Sequence, residues 1–128
     1  MKNQEIVAIV QSYMAQRRSG EGGVKLPAAV AWKRRLNMDE LCRLNDVIYA
    51  AVNEVTAPFF DEEHAEIDEN GQRTVKPEYL PDFVKAQAEI LEQETEVKIR
   101  RVSIEDLGSI ELSDADMDTL AFMLEGGE

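Results

Sequence analysis

The sequence predicts an α+β fold: a helical body with one long helix, and a small antiparallel sheet built on an Asn-Gly hairpin. Three observations carry this reading. Apolar residues recur at three- and four-residue spacing along most of the chain. No Gly or Pro falls between Pro27 and Pro58. Asn70-Gly71 stands between two short runs, and this dipeptide is the strongest short-range hairpin signal. At 128 residues the chain suits a single domain over 1–128. Its 44% apolar content places it among folded rather than disordered chains.

Asn3 is positioned to cap a first helix over roughly 4–18, with Ile6, Val7, Val10, Tyr13 and Met14 as its apolar stripe. "SGEGG" at 19–23 then breaks the chain. Pro27 restarts a helix where its missing N–H is harmless. The stretch from Ala28 to Val55 reads as one long helix or as two. Leu41, Leu44, Ile48, Ala51 and Val55 repeat like a heptad seam, and Ala29, Trp32 and Leu36 form an upstream stripe displaced by one position. Asn37-Met38 is the expected kink, since Asn is a poor helix-interior residue. The seam is expected to face the core. A partner helix or a homodimer is the alternative use.

Strands are expected at 64–69 and 72–76, joined by a type I′ turn and carrying chiefly Ile67 and Val75 as apolar residues. Pro77 and Pro81 bracket the start of a helix over 79–94, with Tyr79, Phe83, Ala86, Ile90 and Leu91 inward. "TEVKIRRV" at 95–102 alternates like a strand. A turn at Ser103 should face Ile104 and Leu107 inward and end at Gly108. "SIEL" offers one more short strand. Ser113 caps a last helix that Gly126 stops, with Met117, Leu120, Ala121 and Leu124 as its stripe. The expected core comprises Trp32, Leu44, Ile48, Phe83, Ile90, Leu120 and Leu124.

The last helix bears on chemistry as well. Asp114, Asp116, Asp118 and Glu125 match places 1, 3, 5 and 12 of a calcium loop. Place 6 is Thr119 rather than Gly, and the interior "LAFML" is apolar. The stretch therefore reads as an acidic helix start, whose carboxylates complement the helix dipole. "DEEH" at 61–64 contains the only histidine, His64, with no second His to support a metal site. Cys42 is the only cysteine, which excludes an intrachain disulfide and a zinc-cysteine cluster. It lies between Leu41 and Leu44 on the predicted helix, as a structural thiol would. A Cys42–His64 pair is the remaining nucleophilic arrangement. Phosphate loops, nucleophile elbows and dinucleotide fingerprints are missing from the sequence. The expectation is a non-enzyme with no cofactor and no metal.

Net charge is -12, unevenly divided. Residues 1–58 hold eight Lys/Arg against six Asp/Glu, while 59–128 hold six against twenty. Direct nucleic-acid binding needs a basic footprint, and here only Arg17-Arg18 and Lys33-Arg34-Arg35 cluster. The expected partner is a protein with a basic surface. Glu62, Glu63, Glu66, Asp68 and Glu69, which approach the tight turn, are the candidate contact residues. No apolar run approaches the roughly 20 residues that span a bilayer, and no secretion signal opens the chain, so a cytoplasmic location is expected.

The order of segments, "LPAAVAWKRRL", "DENGQ", "FVKAQAEILEQETEVKI" and "IELSDADMDTLAFMLE", covers about residues 24–125. It resembles small uncharacterised accessory proteins encoded by tailed phages and prophages of Gram-positive bacteria. An "LP" helix start, a helix-to-strand junction after "LEQE" and a closing acidic helix recur in them. The resemblance implies a phage accessory role in the bacterial host cell, with no catalytic residues to carry over. The first expectation is an inhibitor of a host defence nuclease (anti-CRISPR-like) working through its acidic surface. The alternative is a virion assembly or structural component.

Overall fold

The computed structural model describes residues 1–18, 26–108 and 114–125, with the side chains of 114 and 115 left aside. It is α+β, mostly helical with one two-stranded antiparallel sheet. In chain order come α1 (Asn3–Arg18), α2 (Ala28–Thr56), β1 (Ala65–Ile67), β2 (Arg73–Val75), α3 (Leu80–Leu91) and α4 (Asp114–Leu120), with short 3-10 turns between and after them. The break at 19–23, the "SIEL" strand, the Ser113 cap and the Gly126 stop lie outside the described residues.

The long stretch is one helix, unbroken through Asn37. Asn37 is tolerated there because it bonds outside the helix. Its Nδ2 donates to Arg100 O at 2.9 Å, and its Oδ1 accepts from Arg100 N at 2.9 Å. At 1% exposure it belongs to the buried stripe. That stripe runs through Val30, Asn37, Met38, Leu41 and Ile48, with Arg34 half-buried beside it. Trp32 lies two residues from Val30, about 200° around the helix, and is 63% exposed rather than in the core. Ala29 is exposed and Leu36 half-buried. The apolar pattern pointed to Ala29, Trp32 and Leu36 because the true inward face carries an Arg and an Asn. Downstream, a strict heptad drifts about 20° per repeat around a straight helix. Val55 is accordingly exposed, and Thr56 takes the buried position with its Oγ1 donating to Val52 O at 2.8 Å.

Asn3 does not cap its own helix. Its Nδ2 donates to Ile90 O at 2.8 Å, and its Oδ1 accepts from Thr95 Oγ1 at 2.6 Å. Asn3 N also donates to Gln93 O at 2.9 Å. The start of α1 thus meets the end of α3. One orphan N–H of α1 meets the carbonyl of Gln93 just past α3, the Asn3 side chain reaches the last turn of α3, and the opposed helix-end charges attract.

Two apolar clusters form the core. Ile6, Val10, Met38, Leu41 and Ile48 fill the first, with Leu44 and Ile90 partly buried against it. Val30, Val102, Leu107, Leu120, Met123 and Leu124 fill the second. Ile99 and Phe122 pack against both. Phe83 and Ile90 are half-buried, and no residue of α3 is fully buried, so α3 covers the body from one side.

The segment 95–102 keeps its strand-like alternation: Thr95, Val97 and Ile99 lean inward while Glu96, Lys98 and Arg100 face out. It joins no sheet. Thr95 N bonds Met1 O at 2.9 Å, Asn37 takes both backbone groups of Arg100, and Val102 makes a parallel bridge to Leu124. Beyond it, Ser103 and Asp106 cap a 3-10 turn reciprocally. Ser103 N donates to Asp106 Oδ2 at 2.9 Å and Asp106 N to Ser103 Oγ at 3.2 Å. Leu107 is buried, as expected, but Ile104 is 64% exposed. The last helix is shorter than its apolar pattern. After Leu120 it tightens into a 3-10 turn, leaving Ala121 exposed, and Leu124 turns extended to pair with Val102. The helical reading of the Asp-rich stretch therefore holds over Asp114–Leu120 only. Among the described residues no helix is long and apolar enough to cross a membrane.

Candidate functional site

The hairpin is short, and its polarity follows from how it is rooted. Ala65 pairs with Val75, Glu66 with Thr74 and Ile67 with Arg73. Only the Ala65–Val75 pair at the base is buried. Ile67 shares the face of Ala65 but lies two residues further out, beyond the body, and is 68% exposed. A hairpin with so few apolar residues is expected to project partly from the body, but strand periodicity names a face and not how far the body extends beneath it.

The turn is not type I′. That type needs positive φ at both central residues. Here Gly71 has φ +80°, and no described non-glycine residue has positive φ. Gly71 N bonds Asp68 O at 3.0 Å and Asp68 N bonds Gln72 O at 2.8 Å. This closes a three-residue loop, Glu69-Asn70-Gly71, with the glycine in the left-handed position. Asp68 Oδ1 accepts from Asn70 N at 2.8 Å and Gln72 N at 2.9 Å. Asp68 is therefore the half-buried holder of the turn rather than a free contact carboxylate.

The root is aromatic. Phe59 and Phe60 both meet Phe83 edge-on, at 5.8 and 5.7 Å between ring centres. His64 meets Tyr79 at 4.5 Å and Phe59 at 6.0 Å. Arg73 Nη1 donates to Phe60 O at 2.7 Å, and Lys76 N to His64 O at 2.8 Å. Asp61 Oδ1 accepts from His64 N at 2.8 Å and lies 2.7 Å from His64 Nδ1. These contacts fix the hairpin on α3. The His64 side chain, followed by its backbone N–H, holds the Asp61 carboxyl below its ordinary range.

Of the five candidate carboxylates, Glu62, Glu63, Glu66 and Glu69 are exposed. Across 61–78 there are seven carboxylates against Arg73 and Lys76, a net of -5. The hairpin thus presents an exposed isoleucine among exposed negative charges. Asp61, Glu63 and His64 also bring three ligand atoms within 4.8 Å of one another, and are the residues here that could hold a cation. A cation would compete with bonds already made, since Asp61 Oδ1 serves both the His64 ring and its backbone N–H.

Cys42 packs half-buried in the α1–α2 core, whereas His64 sits in the aromatic root. Burial, then the Asp46 and Asp39 carboxylates, push its thiol pKa up, with Arg17 opposing. A protonated thiol is a poor nucleophile. No family model matches the sequence, and neither curated proteins nor solved structures give a significant match.

Proposed function

We propose that this chain is a non-enzymatic interaction protein whose hairpin docks into a basic groove of a protein partner, and that it inhibits a host defence nuclease from a phage genome. The observation that carries this reading is the exposure of Glu62, Glu63, Glu66 and Glu69, with Ile67, on a hairpin held by its own turn and by its aromatic root. Glu66 lies on β1 opposite Thr74, Glu62 and Glu63 lead into the strand and Glu69 sits in the turn, so the charges are spread along the length of the hairpin. A groove built for nucleic acid would meet such a surface with complementary charge, fast association and strong salt dependence. Ile67 supplies the apolar anchor that a purely charged contact lacks. The α2 seam that motivated a virion role is covered, since Leu41 and Ile48 are buried with α1 residues and α3 packs on the same cluster.

The test uses the reversal Glu62→Lys, Glu66→Lys, Glu69→Lys. Wild-type and reversed proteins serve as baits in a host lysate at low and physiological salt, and captured proteins are then assayed for nucleic-acid binding. The reading expects a salt-sensitive prey that binds nucleic acid, is displaced from it by the wild-type protein, and is lost at least tenfold with the reversed bait. Prey that is retained equally by both baits, or that still holds nucleic acid while bound, would remove the hairpin as the working surface.

A further inference from the structure

A second site lies away from the hairpin, between α1 and α2. Val10, Gln11, Met14, Arg17, Arg18, Asn45 and Tyr49 line a groove of about 490 Å³, within the roughly 300–1,000 Å³ range of small-molecule sites. Its surface is graded. Val10 is buried at the floor, and Met14 and Tyr49 are 48% and 43% exposed. Gln11 Nε2 donates to Tyr49 Oη at 2.9 Å, which bridges the helices and leaves the phenol proton available. Asn45 Oδ1 is buried and has no hydrogen-bond partner among the described residues. A buried acceptor without a donor is rare in folded proteins and calls for a partner. At the other end stand two guanidiniums, neither paired with a carboxylate among the described residues. Arg17 is steadied by Tyr13, with Nη1 3.3 Å from Tyr13 Oη and Cζ 5.6 Å from the ring centre. Complementing the end of α1 would explain the arginines alone. It explains neither the cleft nor the orphan oxygen.

We propose that this groove binds a small organic anion: a phosphate or carboxylate at Arg17 and Arg18, and an apolar body over Met14 and Tyr49. The site does not depend on the hairpin reading.

Anilinonaphthalene sulfonate combines an anion and an aromatic body, and serves as the probe. Its fluorescence should saturate at one molecule per chain. Binding should weaken at least tenfold in Arg17→Ala/Arg18→Ala and in Met14→Trp, two changes at exposed positions whose unfolding transitions are followed in parallel. Adenosine monophosphate, decanoate and inorganic phosphate are then added as competitors. Displacement by the nucleotide identifies a phosphate head group and displacement by decanoate a carboxylate, and either supports the site. Probe binding unchanged in both variants, displacement by neither organic anion, or displacement by inorganic phosphate alone would overturn it.

Discussion

The hairpin at 65–75 and the segment at 95–102 are both extended and both alternate side chains in and out. The hairpin satisfies its backbone from its own other half, six to ten residues away at the strand pairs. The 95–102 segment takes its partners from Met1, from the Asn37 side chain and from Leu124. The hairpin is consequently free to be polar and to project, because local turn chemistry holds it. The other segment holds only while α2, α4 and the start of α1 are in place. Damage to the first should stay local, and damage to the second should be felt across the fold.

The largest effect is expected where the docked segment rests on apolar packing. Leu120 is 2% exposed in the cluster that contains Val102, and Leu120→Ala should cost about 2–5 kcal/mol. Chemical denaturation would show it, and a loss under about 1 kcal/mol would mean that the segment has another support. Next comes Asn37→Ala, which strips Arg100 of its donor and acceptor partners at once. The expectation is about 2–3 kcal/mol, with hydrogen-exchange protection lost along 95–102 and kept in the hairpin. Equal protection in both regions would erase the distinction drawn between them.

Asp68→Ala is the converse experiment, removing two bonds within the turn. It should cost about 1 kcal/mol. Exchange should quicken at 65–75 only, and a global loss of cooperativity would contradict a locally held hairpin. The smallest effect is electrostatic. Two backbone and side-chain bonds to Ser103 hold the Asp106 carboxyl below its ordinary 3.8, with Lys33 helping. A depressed folded pKa means stability present above the unfolded value and lost as pH falls through the folded one. Asp106→Asn should therefore flatten the stability curve below about pH 4. An unchanged acid limb, measured by urea midpoints between pH 5 and pH 2.5, would show that the Ser103–Asp106 cap is not formed in solution.

Much of the secondary structure was legible in the residues. Pro27 and Pro58 bounded α2, Asn70-Gly71 located the hairpin, and the alternation of 95–102 survived in the structure. These are short-range properties, set by dihedral limits and side-chain periodicity over a few residues. The candidate site was legible only in part. The acidic run was visible, but the commitment of Asp68 to the turn and the exposure of Ile67 were not. Both depend on atoms brought together by the turn and on where the body ends.

The sequence by itself determined the α+β class, where the long helical stretch starts, the position of the turn and the concentration of charge after Phe59. Tertiary structure alone decided that Trp32 faces out while Asn37 and Thr56 lie inside, that Asn3 serves α3 instead of capping α1, and that the strand-like segment 95–102 takes its partners from Met1, Asn37 and Leu124. The reason is physical. A buried polar group is tolerated wherever a partner satisfies it; Thr56 finds one four residues back in its own helix, but the partners of Asn37 and Asn3 lie 63 to 92 residues away.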